Sequence, residues 1–256
     1  MLANPRDIYL GNALVEYGEY GEHELQMLLS MLSKPGCVVE VGANIGTLTV
    51  PLAIAAAKID KRLIAFEPQP FIFQTLCANL AMNAIGNVRA WPYACAAASG
   101  DLHFDEPTYS NTGNFGAVSM KREQDVGSVR VPAVALDQIL ADEPVALIKI
   151  DVEGFELDTL QGAQSILEKS RPVLYVENDR IEKSKALIEF IWKQSYRIWW
   201  HSPPLFNNDN FYGNAKNLYP NICSFNIIAC PVEDCNTPQG LHEVLDSTYH
   251  PLHQSK

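Results

Sequence analysis

The sequence predicts an α/β fold built on a mostly parallel sheet with helices on both faces. Three observations carry this. Short β-rich runs alternate with helical patterns from residue 37 to about residue 200. An apolar run passes through a glycine turn into a helix at 40–47. Acidic residues stand where strands end, at Glu67, Asp151 and Glu177, which is where open α/β sheets bind ligands.

The elements follow in order. Leu25, Leu28, Leu29 and Leu32 keep helical spacing, and Lys34, Pro35 and Gly36 end that helix. Cys37–Val41 reads as a strand, 48–57 as a helix, 63–66 as a strand and 70–82 as a helix with Phe71, Gln74, Thr75 and Ala78 on one face. A third strand spans 88–93. Residues 100–135 are rich in Gly, Asn, Ser and Pro, with short strands at 101–104 and 129–134. A buried strand at 145–150, a helix over 155–167, a strand at 173–176 and a helix over 181–194 complete the alternation. Strands at 196–200 and 224–230 are joined by 202–222, which has no helical pattern, so the last pair is expected to be antiparallel. One reversed strand near an edge and a loose polar tail over roughly the last twenty residues are therefore expected.

The chain has 256 residues, 19 Lys+Arg against 30 Asp+Glu, a net charge of −11 and 47% hydrophobic residues; mean hydropathy is −0.05. This suits one globular domain: an N-terminal helical segment over 1–36, a core over 37–230 with a substrate-side loop at 202–222, and a tail over 231–256. A chain of this size buries roughly 70–75% of its unfolded surface and needs no staple. The acidic balance argues against nucleic acid and against anionic membranes, whose recognition needs clustered Lys and Arg. No basic segment followed by an apolar core opens the chain, and the most apolar stretch, 38–57, is broken by Glu40, Asn44, two Gly, two Thr and Pro51. A cytoplasmic protein without a membrane span is expected. Six cysteines without a CxxC fit reduced thiols, and Cys230 with Cys235 is the one pair spaced to bridge or share a metal.

Four segments carry chemistry. Residues 40–47 read Glu-Val-Gly-Ala-Asn-Ile-Gly-Thr. The spacing is GxNxG, not the GxGxxG of dinucleotide sites, and Glu40 lies in the strand itself. A carboxylate there repels a pyrophosphate and attracts an ammonium. Glu67 follows Gly46 by 21 residues at the end of the second strand, placed to accept hydrogen bonds from both hydroxyls of a ribose; it also suits the start of the 70–82 helix. The string IDVEGFE at 150–156 crowds Asp151, Glu153 and Glu156 beside Gly154. Asp151 or Glu153 could cap the following helix. Glu177, Asn178 and Asp179 end the next strand.

Together, residues 40–47, 65–68 and 148–156 resemble the FkbM-type S-adenosylmethionine-dependent methyltransferases, over about residues 25–230, with IDVEGFE as the most specific element. The resemblance implies a Rossmann-like class I methyltransferase: a seven-stranded, mostly parallel sheet with one antiparallel strand. It implies that Glu40 faces the methionine amino group, that Gly42, Asn44 and Gly46 form a backbone cradle with Thr47 opening the helix, that Glu67 binds the ribose, that Ala94 with Cys95 and Ala96 lies near adenine, and that Asp151 lies beside the methyl group and the acceptor. By likeness to catechol-type enzymes, Asp151, Glu177 and Asn178 would hold Mg²⁺; as helix caps, Glu177 and Asn178 would not. Glu153 and His201 are the other candidate bases.

The expected activity is methyl transfer from S-adenosylmethionine to a hydroxyl of a sugar or glycosylated small molecule. The acceptor class comes from the resemblance. The Asn-rich, aromatic 202–222 loop suits a sugar and suits turns equally. Tyr212 and Lys216 have the spacing of a short-chain dehydrogenase pair but sit in that loop, not on a helix. A nicotinamide-dependent oxidoreductase and a catalytically inactive cofactor-binding protein are the rivals.

Overall fold

The computed structural model describes residues 1–140, 142–234 and 238–254. Cys235 lies outside them, and with it the alternative of a Cys230–Cys235 pair.

The elements in chain order are α1 (Leu10–Glu16), α2 (Glu22–Ser30), β1 (Cys37–Val41), α3 (Thr49–Ala57), β2 (Leu63–Phe66), α4 (Pro70–Met82), β3 (Val88–Trp91), β4 (Ala94–Cys95), β5 (Gly100–Phe104), β6 (Val129–Val134), α5 (Leu136–Ile139), β7 (Val145–Ile150), α6 (Glu156–Gln161), α7 (Gln164–Lys169), β8 (Val173–Glu177), α8 (Ile181–Lys193), β9 (Tyr196–His201), β10 (Asn226–Pro231) and β11 (His242–Glu243), followed by a 3₁₀ turn at Pro251–Gln254. The main sheet runs β11-β9-β10-β8-β7-β1-β2-β3. β3, β2, β1, β7 and β8 pair in parallel, as the alternating pattern predicts. β10 runs antiparallel to both β8 and β9.

The sheet has eight strands, not the seven expected, and two of them run against the parallel set. The extra strand is β11, from the segment expected to be a loose tail. It pairs antiparallel with β9 at the edge. Val244 next to it is buried, and His250 is buried with its Nε2 2.7 Å from the Asn178 carbonyl. Two backbone pairs were enough to add the strand, too short a signal for a polar sequence to announce. The irregular 100–135 region forms a second sheet, β4-β6-β5, around Leu102, Phe104, Val131 and Ala133.

Buried apolar runs give two packed layers. Alternation along each strand sends Val39, Val41, Ile148 and Ile150 to one face under α6–α8. Val38, Leu147, Tyr175 and Ile228 go to the other, packed with Leu28 of α2 and Leu52 of α3. Among the described residues no helix is long and apolar enough to cross a membrane.

The helix expected over 155–167 is two helices, broken at Gly162 and Ala163. A Cβ at Gly162 would lie 2.1 Å from the Ala96 carbonyl oxygen. Asp137 then caps α7 from outside, accepting the amides of Ser165 at 2.8 Å and Ile166 at 3.0 Å. Gly162→Ala should therefore destabilise the fold by about 1–3 kcal/mol, whereas Gly86→Ala, with nothing within 4 Å of the added carbon, should stay within about 0.5 kcal/mol. Urea midpoints check both; equal midpoints for the two variants would refute the packing argument.

Candidate active site

The α2–α3 face of the sheet turns polar at the C-terminal ends of its parallel strands. Glu40 follows Val38 on that face, Lys149 follows Leu147, and Glu177 follows Tyr175. Glu40 and Lys149 are register partners on β1 and β7. On the reversed strand, Asn226 is the partner of Glu177. Glu40 is 1% exposed and its Oε2 has no hydrogen-bond partner. Lys149 is 3% exposed; its Nζ donates to the Gly42 carbonyl at 3.3 Å and to Asp151 Oδ2 at 3.1 Å. Burial alone would lower this lysine's pKa, but Asp151, Glu40 and Glu24 surround it and hold it above its ordinary value.

The glycine turn is fixed by contacts with its neighbours. A Cβ at Gly42, where φ is 82°, would lie 1.8 Å from the Asp151 carbonyl oxygen, so only glycine lets the turns after β1 and β7 meet. The Gly42 and Ala43 amides donate to the Phe66 carbonyl, Asn44 N to Glu67 Oε2 at 3.0 Å, Ile45 N to Asn44 Oδ1 and Gly46 N to the Ala43 carbonyl. Every backbone N–H from 42 to 46 is thus spent inside the protein. The loop is a shaped wall and offers no free amides for a phosphate, in keeping with the GxNxG spacing. Glu67 accepts a second amide, Gln69 N, at 2.9 Å through Oε1. Burial outweighs both hydrogen bonds and lifts its carboxyl from 4.5 to about 7.

The turn after β7 places three acids together. Glu153 and Gly154 both have positive φ, 53° and 100°. The alternative that Asp151 or Glu153 caps the helix is not found: α6 has no side-chain N-cap hydrogen bond. Glu156 instead reaches back, accepting Gly154 N at 2.8 Å and Val152 N at 3.4 Å. This leaves Asp151 and Glu153 facing Glu177, with one carboxylate oxygen of each within 4.8 Å of the others. Arg180 pairs with Glu153. Burial and then Asp151 push the Glu153 carboxyl from 4.5 to about 7. Burial, with Asp151 next, raises Glu177 well above its ordinary value.

These groups line one cleft. Glu40, Gly42, Asn44, Thr47, Glu67, Asp151, Glu153 and Glu177 share it, as the sequence reading expects. A more apolar slot adjoins it, walled by Tyr93, Ala94, Met120, Val152 and Phe155 and sharing Glu67, Asp151 and Glu153. Gly46 packs under Leu76 and is absent from both walls. His201 is not on either wall: it is buried with its Nδ1 2.9 Å from the Tyr175 hydroxyl, and burial pushes its pKa down to about 4. Asn178 turns its amide nitrogen to Ser184 Oγ at 2.9 Å, away from the three acids. Three amides of the 202–222 loop are used within it or on the N-terminal segment: Asn207 bonds Glu19, Asn210 bonds the Asn207 and Asn214 carbonyls, and Asn214 bonds the Glu16 carbonyl.

Sequence reasoning missed Tyr20, Glu24, Lys149, Ser224 and Asn226, all on the cleft wall. Two of them had a signal. Lys149 is the one charge in an otherwise apolar strand, and Glu24 sits four residues before Leu28, on the buried face of its helix.

Glu67 carries a stability consequence. A carboxyl raised from 4.5 to about 7 by folding stabilises fully below pH 4.5 and loses that contribution as pH rises through 7, on the order of 3 kcal/mol. Unfolding of Glu67→Gln measured against the native sequence should shift in the variant's favour between pH 4.5 and 7 and level off above. A difference independent of pH would refute the assignment.

Comparison with known proteins agrees with this geometry. The methyltransferase FkbM domain profile matches residues 40–198, more than half of the chain. A hexuronic acid methyltransferase, AglP, of Haloferax volcanii is 28% identical over 152 residues, covering 58% of this chain and 59% of that protein. Methyltransferase sdnD of Sordaria araneosa is 29% identical over 157 residues, covering 49% and 59%. The chain thus spans about three fifths of the length of these relatives. Among solved structures, an FkbM methyltransferase from Methylobacillus flagellatus KT superposes with a TM-score of 0.51 at 17% identity, over 76% of this chain and 43% of that one. A cofactor-bound protein of MTB, Rv0187, gives 0.52 at 14% identity over 91% and 92%. The sequence match to the domain that carries Glu40, Glu67 and the 150–156 turn makes this chain a member of the FkbM methyltransferase family.

Proposed function

We propose that the protein is an S-adenosylmethionine-dependent methyltransferase acting on a hydroxyl of a sugar or glycosylated small molecule. The observation that carries the reading is the pairing of a buried, unpartnered Glu40 oxygen with Glu67 across one cleft, beside an apolar slot. Family membership supports the reaction class. The name of the Haloferax volcanii relative supports a sugar acceptor.

The residues fit the cofactor. The free Glu40 oxygen needs a donor, which an ammonium supplies. Glu67 keeps a lone pair on each oxygen for the two ribose hydroxyls. Tyr93, Ala94, Met120 and Phe155 wall the slot that suits a purine. When bound, S-adenosylmethionine supplies an electrophilic methyl group on a sulfonium. The protein's share of the reaction is alignment and removal of the acceptor proton. Glu153, titrating at about 7, is matched to take that proton at neutral pH. Asp151, held by Lys149, fixes a negative charge beside it. His201, buried away from both walls, takes no part in this reading.

A second reading places a divalent cation on Asp151, Glu153 and Glu177, whose oxygens lie close enough to share one. Asn178 is not in that set. A chelator separates the two readings: turnover unchanged by EDTA supports the carboxylate base, and turnover abolished by EDTA and restored by Mg²⁺ supports the cation.

Glu67→Ala should weaken S-adenosylmethionine binding by about 1.5–3 kcal/mol, read by calorimetry; unchanged affinity would displace the ribose from this position. At saturating substrates, kcat should rise from pH 6 to 8 with a midpoint near 7. Glu153→Gln should lower kcat about 10²–10⁴-fold with cofactor affinity retained. A flat kcat profile for the native sequence would remove Glu153 from the role of base.

A further inference from the structure

The cleft and the slot beside it share five wall residues: Gly42, Glu67, Gly116, Asp151 and Glu153. Gly42, Glu67, Asp151 and Glu153 stand just past strand ends, but Gly116 comes from the long segment between β5 and β6. That segment therefore covers the junction where Glu67 sits. A Cβ on Gly116 would lie 3.0 Å from Asn44 Nδ2, so the cover rests directly on the glycine turn. Its tip is a tight local turn, in which the Gly116 and Ala117 amides donate to Asn114 Oδ1 at 3.1 and 3.3 Å.

One residue grips both the cover and Glu67. Gln69 is 4% exposed. Its backbone amide donates to Glu67 Oε1, its Nε2 donates to the Phe115 carbonyl at 3.2 Å, and its Oε1 accepts the Tyr109 hydroxyl at 3.2 Å. Gln69 directly precedes α4, yet its side chain makes no cap bond to that helix. Both side-chain bonds are neutral and long, a hold of small net strength that can release. Phe115 N in turn bonds Asp7 Oδ2 at 3.3 Å, and Asp7 Oδ1 takes the amides of Tyr9 and Leu10, two more residues of the cleft wall.

The enclosed space is small. The cleft holds about 150 Å³ and the slot about 40 Å³, against roughly 300 Å³ or more for a small-molecule site. The strand-end side does not spread, because Asp151 N donates to the Val41 carbonyl at 3.0 Å and Lys149 Nζ bonds the Gly42 carbonyl. Room for a cofactor has to come from the cover.

We infer that Gln69 is a positioning residue for the cofactor: it seats the 109–117 segment over Glu67, and that segment lifts to admit S-adenosylmethionine and closes over its ribose. This rests on the methyltransferase reading above. Gln69 thereby sets the rates at which the cofactor enters and leaves.

The test follows S-adenosylhomocysteine binding to the full chain by stopped-flow fluorescence and amide hydrogen exchange. In the native chain the ligand should slow exchange at 113–118 as well as at 42–47. Gln69→Met keeps the length of the side chain and removes both of its bonds. It should speed dissociation tenfold or more and association twofold or more, with protection of 113–118 lost and that of 42–47 kept. Tyr109→Phe keeps the ring that stacks on Phe71 and removes one bond. It should move both rates the same way, dissociation by threefold or more, and it carries the test where Gln69→Met does not fold. The inference is overturned by dissociation within twofold of native in the variant that folds. Association unchanged while dissociation rises would also overturn it, since Gln69 would then be a static contact. Equal loss of protection in both segments would do so too, since its role would then be structural. Failure of the native chain to bind S-adenosylhomocysteine would overturn the cofactor reading instead.

Discussion

A single buried cation, Lys149, organises the acidic end of the sheet. It stands in a strand whose every residue is buried, with Glu40 beside it on β1 and Asp151 two residues on. Its hydrogen bond to the Gly42 carbonyl ties the glycine turn to the turn after β7. Those two turns already touch so closely that residue 42 admits no side chain. Without the lysine, Glu24, Glu40 and Asp151 would lose the countercharge they share, and an unpaired buried carboxylate costs several kcal/mol in a low-dielectric site. With it, Asp151 is held in place and the wall keeps a net acidic character.

The net charge of −11 is thereby partly located. Glu24, Glu40, Glu67, Asp151, Glu153 and Glu177 gather on one cleft wall against Lys149. Burial lifts the carboxyl pKa of five of these six, and Asp151 adds to the rise in each of those five. Three of these acids have local answers, backbone amides for Glu67, Arg180 for Glu153 and Ser224 for Glu24, whereas the buried Glu177 Oε2 has no hydrogen-bond partner. Glu40 has an oxygen with no answer from the protein.

Much of the fold was legible because strand and helix periods differ. The runs at 37–41, 63–66, 145–150 and 173–176 became β1, β2, β7 and β8 within a residue or so, and the antiparallel return after 202–222 was read from the absence of a helix. The break at Gly162 was not legible, since its cause is the Ala96 carbonyl, 66 residues away in sequence. Nor was β11, whose pairing depends on the free edge that β9 offers. The strand-tip acids that line the cleft were legible because they sit on short motifs. The Asn-rich loop suited a sugar and turns equally in the sequence, and in the fold Asn210 spends both its nitrogen and its oxygen inside the loop.

The sequence by itself determined the alternating strand–helix order and the acids at the strand tips, since these depend on local periodicity and on glycine at fixed offsets. Only the tertiary structure decided which of those acids face one cleft, that His201 and Asn178 turn elsewhere, and that Glu24 of an N-terminal helix meets Ser224 and Asn226 near the other end of the chain. The physical reason is range. Backbone preferences act over a few residues, whereas burial, countercharge and unpaired hydrogen bonds are set by neighbours that the chain brings together only on folding.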